Sequence, residues 1–256
     1  MTTLNANEIV ATIRQGIAEG RYRHGARLPS VRDLATQYNV SQQTAAAAYA
    51  VLAALGLARA ERGSGTTVTA GPAADAYLGT YTPPDLGANG VQPWRAARGG
   101  ATESEETTLV RQIVATDEMA AWGISAGSDV VERTRVRSVD GIPVQHKLTV
   151  IPYELAARRP VDYDGVPPML TPVGAPPAKP PHGIRVADWL GWDIAATECI
   201  ITAEPMPADA CAALQMPEGS PGFRIVNLSR SGDGTTAYVT VTTAPLHHRV
   251  TMDIVG

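Results

Sequence analysis

Three arginines, Arg133, Arg135 and Arg137, recur at alternate positions in the run VVERTRVRSV. Because side chains alternate across a strand, this spacing predicts three guanidinium groups on one strand face. Such a row repels itself unless anions or carboxylates lie against it. The pattern therefore indicates either a pocket for phosphate, sulfate or carboxylate, or a solvent-exposed face paired with Glu side chains.

A second pattern is the run SQQTAAAAYAVLAAL, which predicts a helix whose polar first turn is followed by small residues. Ser41 can cap this helix, and Gln43 and Ala47 then face outward where a solvated helix would usually carry Lys or Glu. Small outward residues suit a helix lying close to another surface, such as the DNA major groove, where Gln can pair with adenine. An Ala-rich helix selected for helix propensity alone is the alternative. Helical spacing predicts this buried side: Ala45, Ala48, Tyr49, Leu52 and Leu55.

The elements around this helix complete a recognisable unit. Helical periodicity extends from Asn5 to Glu19, and a second helix from Val31 to Tyr38 follows a Ser30 cap. Asn39 tolerates the left-handed turn between the second and third helices. Strands at 57–60 and 66–68, joined by a Gly-rich tip at 61–65, form a wing that can approach a phosphate backbone. These elements predict a winged helix-turn-helix over residues 1–70.

Charge is distributed unevenly along the 256 residues. The formal net charge is −4, but the segment 1–70 carries seven arginines against four acids. A positive N-terminal part on a negative remainder is typical of a DNA-binding domain attached to one that does not touch DNA. The length suits two domains, and the chain has no apolar run of membrane-spanning length and no export signal.

Residues 71–103 are rich in Gly, Pro and Ala without periodicity, which predicts a linker with little regular structure. The segment 104–256 alternates short strands with short helices, including a hairpin turned by Asp140-Gly141 and a last hairpin ending near 243. The prediction is an α+β domain around an antiparallel sheet. The Pro-rich stretch 167–181 is expected to run extended along its surface.

The segment 1–70 resembles the DNA-binding domain of the GntR family of bacterial repressors. The resemblance lies in LPSVRDLA, NVSQQTAAAAYAVLAALGL and RGSGTTV. It implies DNA contacts from the second helix, the start of the third and the wing tip. The family commonly has Arg where Gln42 and Ala46 stand, which favours an operator different from the family's usual one. The implied DNA-contacting residues are Arg32, Ser41, Gln42, Gln43, Thr44, Arg62 and Gly65.

The stretch MAAWGISAGSDVVERTRVRSVDGIPVQHKLTVIPYELA resembles the UTRA effector domain of the HutC subfamily, which has a chorismate lyase-like fold. The resemblance implies that Arg135 and Arg137 hold the acidic group of an effector. Lys147 stands where the family often has Glu, which favours a more anionic effector, or none. The C-terminal strand lacks the expected acid and tyrosine pattern, and Tyr238 is the candidate replacement.

No catalytic site is expected, because no nucleophile has a neighbouring base and no metal or phosphate-loop spacing occurs. Cys199 and Cys211 are expected to be reduced, buried thiols. His247 and His248 are expected at the surface rather than in a metal site. No cofactor is implied.

The sequence thus predicts a cytoplasmic transcriptional regulator, a repressor that binds a pseudo-palindromic double-stranded operator as a homodimer and leaves it on binding a small anionic effector. Two other classes are weighed against it. An enzyme with a DNA-binding domain would need a longer C-terminal part and a lysine in a cofactor context. An effector-blind DNA binder, as in plasmid transfer or copy control, would use that part only to dimerise.

Overall fold

The computed structural model describes residues 4–61, 63, 65–71, 75–81, 102–176 and 178–254. We call the described residues up to 71 the head and those from 102 onward the body. No helix within these ranges is long and apolar enough to cross a membrane.

The head consists of helices α1 (Ala6–Ala18), α2 (Val31–Tyr38) and α3 (Gln42–Ala54), followed by strands β1 (Ala58–Glu61) and β2 (Gly65–Val68). β1 and β2 pair antiparallel as the wing. Its core is apolar and nearly inaccessible to solvent, with Ile13, Leu34 and Leu52 at 0 % exposure. The winged helix-turn-helix prediction is confirmed, with Leu55 only partly buried at the edge of the core.

Local side-chain signals set the limits of the three helices. Asn5 and Glu8 form a reciprocal capping box at α1, while the Ser30 and Ser41 hydroxyls accept hydrogen bonds from backbone N–H groups in the first turns of α2 and α3. Asn39 ends α2 in the left-handed conformation, at φ 51°. These caps act within a few residues of chain, which is why the sequence alone locates them.

The body is built on a six-stranded antiparallel sheet with the strand order β4-β5-β6-β9-β8-β7. Asp140 and Gly141 turn the β5–β6 hairpin with positive φ angles of 51° and 77°. The α+β prediction is confirmed. The strands of this sheet are β4 (Glu103–Val114), β5 (Asp129–Val139), β6 (Ile142–Pro152), β7 (Ala196–Pro205), β8 (Pro221–Arg230) and β9 (Thr236–Pro245). Four short helices lie between strands: α4 (Asp117–Ala121), α5 (Tyr153–Ala156), α6 (Val186–Trp189) and α7 (Ala208–Ala213).

The two faces of this sheet differ. On one, Val130, Val150 and Val239 are fully buried beneath a cluster that includes Met119 of α4. The other face has two separate apolar clusters, one formed by Val131 and Ile151 with Leu190 and Trp192, and one formed by Ile225 and Ala244. The arginines lie on this face as well.

The predicted linker contains a regular element. Strand β3 (Asp75–Tyr81) pairs parallel with β10 (Arg249–Ile254), which follows the hairpin that the sequence marked as the last. β4 already begins at Glu103, the predicted end of the linker. The expectation of little regular structure was therefore wrong at 75–81, because pairing with a strand distant in sequence supplies the backbone hydrogen bonds that local patterning did not indicate.

Three further expectations are corrected. The Pro-rich stretch is not only a surface excursion, since Pro168 and Thr171 are buried and Pro168–Leu170 form a 3-10 turn. Cys199 is exposed on β7, whereas Cys211 is buried as expected; both thiols are free. His248 is only 5 % exposed, so the histidine pair is not at the surface.

Candidate DNA interface and effector site

The exposed side of the head gathers most of the predicted DNA contacts. Gln42 and Gln43 occupy the first turn of α3 and are exposed, as is Arg32 in the first turn of α2. Within the described residues neither glutamine side chain has a hydrogen bond, so both amides are available to base edges. The two helix starts therefore each present exposed polar side chains.

Ser41 and Thr44 have a structural role at this surface. The Ser41 hydroxyl accepts from the Thr44 backbone N–H at 3.0 Å and is 2.9 Å from the Thr44 hydroxyl. The two side chains thus fix the first turn of α3. The Tyr49 hydroxyl donates to the Pro29 carbonyl, which ties α3 to the residue preceding the α2 cap. These contacts, rather than contacts of Gln42 and Gln43, fix the position of the first turn of α3.

The wing tip is described in part. Gly65 is exposed at φ 85°, a conformation that favours glycine, and it pairs with Glu61 in the wing. Arg62, the predicted wing contact, lies outside the described residues. Within the described residues Arg32 has no ion pair, whereas Arg59 on β1 lies 3.7 Å from Glu61.

The three arginines of β5 do lie on one face, but that face is buried. Arg133 and Arg137 are 7 % and 6 % exposed. Arg137 pairs with Glu103 at 2.7 Å and Arg135 forms an ion pair with Glu105, both acids belonging to β4. The expectation of a solvent-exposed face paired with Glu is therefore half right: the carboxylates are present, but solvent is largely excluded.

Neighbouring strands extend this arginine face. Across β6, Arg133 is opposite Thr149, Arg135 is opposite Lys147 and Arg137 is opposite Gln145. On β9, Thr240 and Thr242 are opposite Thr149 and Lys147, and both are buried. Tyr238 lies on the same face of β9, with its ring 5.3 Å from that of Trp192 in the apolar cluster. All four predicted effector residues, Arg135, Arg137, Lys147 and Tyr238, therefore share one side of the sheet.

Several buried polar atoms on the arginine face have no hydrogen-bond partner among the described residues. They are Arg133 Nε, Arg135 Nε, Gln145 Oε1 and Thr149 Oγ1. Among the described residues, the Arg133 guanidinium donates to Met169 Sδ at 3.5 Å and makes a long contact of 3.5 Å with Thr107 Oγ1. Since an unmade buried hydrogen bond costs about 1–3 kcal/mol, four such atoms together mark a place where polar groups are missing.

Burial and the neighbouring guanidinium of Arg135 disfavour further positive charge on this face. Burial, and then the Arg135 charge, lowers the pKa of Lys147 to about 8. Burial and Arg135 also lower the pKa of Arg133 to about 10. An anion bound beside Arg133 and Arg135 would reduce the repulsion between these two guanidinium groups.

Sequence reasoning located Lys147 but missed the two acids and two other polar residues of β6. Gln145 and Thr149 alternate with Lys147 in the same way as the arginines, so period-two alternation in IPVQHKLTVIP could have located them. Glu103 and Glu105 lie at the start of β4, beside the predicted linker boundary. Within the described part of the chain, no group of three or more His, Cys, Asp or Glu side chains could hold a metal.

The chain thus combines a winged helix-turn-helix with a sheet domain that carries a buried polar face. Residues 5–68 match the model of bacterial regulatory proteins of the gntR family, and residues 97–164 match the UTRA domain. The chain therefore contains a DNA-binding domain of the GntR type and a segment that matches a UTRA domain.

Similar proteins carry related descriptions. The chain is 36 % identical over 123 residues to the vitamin B6 salvage pathway transcriptional repressor PtsJ of Salmonella typhimurium, covering 46 % of this chain and 29 % of PtsJ. It is 27 % identical over 234 residues to the HTH-type transcriptional regulator SCO4628 of Streptomyces coelicolor, covering 89 % and 84 % of the two chains. The chain thus spans less than a third of PtsJ but most of SCO4628.

A solved GntR-family transcriptional regulator has the same overall fold. It superposes with a TM-score of 0.55 at 21 % identity, covering 98 % of this chain and 97 % of the other.

Proposed function

We propose that the protein is a ligand-controlled repressor that binds a pseudo-palindromic operator as a homodimer in the cytoplasm and is released by a small anionic effector. The observation that carries the ligand-controlled part is the set of four unpartnered buried polar atoms on the arginine face. A domain that served only to dimerise would have no reason to keep these atoms unsatisfied.

The effector that best fits the arginine face is an anion with at least one hydrogen-bond donor. Two of the four unpartnered atoms are arginine Nε atoms, and the other two belong to the neutral side chains Gln145 and Thr149. The Nε–H groups of Arg133 and Arg135 would donate to the anion, while Gln145 Oε1 would accept from a hydroxyl or amine of the effector. A phosphate monoester or a dicarboxylate with a hydroxyl group has this chemistry.

The exposed edge of the body supports the homodimer. β7 is the outer strand of the sheet, and Ile200 and Ile201 on it are 43 % and 45 % exposed. An edge strand with apolar side chains on both faces presents unpaired backbone groups and an apolar surface to a second copy. We place the dimer contact there. Two heads would then meet two half-sites related by the same two-fold symmetry.

Binding to the DNA upstream of the protein's own gene tests the operator part of the proposal. Fluorescence anisotropy at moderate salt should show tighter binding to this DNA than to a shuffled duplex. Arg32→Ala should weaken binding to both duplexes, and Arg159→Ala, which removes an exposed arginine of the body, should change neither. Gln43→Ala should reduce the preference between duplexes. Equal affinity of the unaltered protein for both DNAs would refute sequence-specific binding.

A thermal-shift screen tests the effector part. Phosphorylated sugars and hydroxy-dicarboxylates should raise the midpoint of unfolding, and the same compounds should release the DNA. Thr149→Val and Gln145→Leu, which each remove one unpartnered group without altering charge, should weaken that response.

The second candidate function, an effector-blind repressor, has an observation in its favour. Glu103 and Glu105 already neutralise Arg137 and Arg135, so this arrangement holds two of the arginines without a ligand. A screen in which no anion stabilises the protein or releases DNA, while the operator is still recognised, would establish this candidate instead.

A further inference from the structure

The turn between β9 and β10 holds two histidines at the junction of head and body. The rings of His247 and His248 are 3.9 Å apart between centroids, and their planes are inclined by 45°. His247 lines a cavity of about 280 Å³ whose other walls belong to the head, including Arg14 and Gln15 of α1 and Leu57. The pair therefore lies where the DNA-binding head meets the effector-binding body.

His247 lacks the partners that an imidazole normally has. Both ring nitrogens are buried, and within the described residues neither has a hydrogen bond. A neutral imidazole has one donor and one acceptor to satisfy, and water would satisfy both if the head moved away. Docking of the head thus leaves both ring nitrogens of His247 without hydrogen bonds, and exposure to water would restore these bonds.

The charged groups around the pair are mainly cationic. Arg14 approaches His247 from α1, and Arg137 of β5, which is paired with Glu103 of β4, lies near His248. Arg249 follows the pair in sequence. Burial, and then Arg14, lowers the pKa of His247 to about 4. Burial, His247 and Arg137 lower the pKa of His248 as well.

A second contact shows that the head rests on the body at this junction. The turn at Gly56, between α3 and β1, lies against Met216 and Ser220, so closely that an added Cβ would come within 2.5 Å of Met216 Cε. Among the described residues, the docked arrangement therefore includes tight contacts at Gly56 and at Gly71, which lies against Ile142, and a contact through His247.

We propose that His247 and His248 form a pH-sensitive latch between head and body. While both imidazoles are neutral, the head stays docked. When they take up protons, the two imidazolium rings face Arg14 and Arg137 in a buried site, and this repulsion releases the head. Because Arg137 belongs to the arginine face, the latch also connects that face with α1. This inference goes beyond the proposed function and does not depend on the effector's identity.

The size of the effect follows from proton linkage. A group that titrates near its ordinary value of 6.5 when exposed, but near 4 when docked, favours the undocked state as the pH falls below about 6.5. For His247 alone, the ratio of undocked to docked protein should rise about tenfold between pH 7.5 and pH 5.5. His248 adds to the effect in the same direction.

The test measures the distance between head and body directly. Spin labels are attached at Thr36→Cys on α2 and Glu218→Cys in the turn before β8, in a Cys199→Ser background, with labelled chains diluted in unlabelled protein. Pulsed electron double resonance at pH 7.5 and pH 5.5 then gives the docked and undocked populations. We expect the ratio of undocked to docked protein to increase about tenfold on acidification.

Three variants identify the groups responsible. The double variant His247→Gln/His248→Gln, which cannot take up protons there, should lose the pH response, and His182→Gln, which removes an exposed histidine, should keep it. Arg14→Gln removes a cation that disfavours protonation of docked His247, so its response should be weaker. Distance distributions that are identical at the two pH values, or a response that persists unchanged in the double variant, would overturn the latch. If the double variant does not fold, Arg14→Gln replaces it in the test. A pH response in Arg14→Gln equal to that of the unaltered protein would then overturn the latch.

Discussion

The head and the body carry their functional groups in opposite ways. In the head the interior is apolar and the groups that would meet DNA are exposed at two helix starts. In the body, arginines, acids, threonines and a glutamine lie inside, on one face of a sheet whose other face packs against an apolar cluster. The head is thus a complete fold that presents an outer surface, while the body encloses polar groups that a ligand would complete.

This difference has an energetic consequence. Burying charged and polar groups costs free energy unless they are paired, so the arginine face lowers the body's stability for as long as partners are missing. The head has no comparable cost, because its polar groups remain hydrated. A ligand that binds the body would therefore raise the body's free energy of unfolding strongly. DNA binding to the head would act mainly through exposed charges and base contacts.

The largest effect is expected for Leu52→Ala, which removes a fully buried side chain from the core of the head. The loss of packing should lower the head's free energy of unfolding by about 2–5 kcal/mol. All four tryptophans lie outside the head, so tryptophan fluorescence reports the rest of the chain and helical circular dichroism is weighted toward the head. Denaturant unfolding should show a shifted dichroism transition and a fluorescence transition near its original midpoint.

Gln43→Ala, at an exposed position of α3, is the control for that measurement and should leave both transitions in place. If Leu52→Ala shifts the two transitions equally, head and body unfold as one cooperative unit and the comparison between them fails.

A smaller effect is expected for Glu103→Gln, which removes the carboxylate paired with the buried Arg137. The cost should be about 1–3 kcal/mol, because a buried charge loses its charged partner. Glu105→Gln should cost less, since the Arg135 side chain is 28 % exposed and solvent can replace part of the interaction. Chemical denaturation followed by tryptophan fluorescence measures both variants. A larger loss for Glu105→Gln would contradict the ranking of burial along the arginine face.

The smallest of these effects is expected for Ser41→Ala, which removes the cap of α3. Loss of the hydrogen bond from the Thr44 backbone N–H should lower stability by about 1 kcal/mol. Ser41→Asn keeps a capping oxygen and is the matched control, with stability close to that of the unaltered protein. Thermal unfolding followed by circular dichroism separates the two. Equal stability of Ser41→Ala and Ser41→Asn would show that the cap does not stabilise α3.

The head could be predicted almost in full because its signals are local. The Ser30 and Ser41 caps, the Asn39 turn and the apolar spacing of α1 and α3 each involve residues within one or two helical turns. For the body, the α+β fold class was predicted, since the alternation in β5 and the Asp140-Gly141 turn are also local. The β3–β10 pair was missed because every strand of the body's large sheet lies between its two members in sequence.

The sequence by itself determined the winged helix-turn-helix, the residues that begin its recognition helix and the alternation that places three arginines on one strand face. Those features depend on periodicity and capping, which operate over a few residues. Only the tertiary structure decided that the arginine face is buried, that Glu103 and Glu105 lie against it and that the histidine pair meets α1. Such relations depend on which distant segments pack together, and the water they exclude changes what the charges can do.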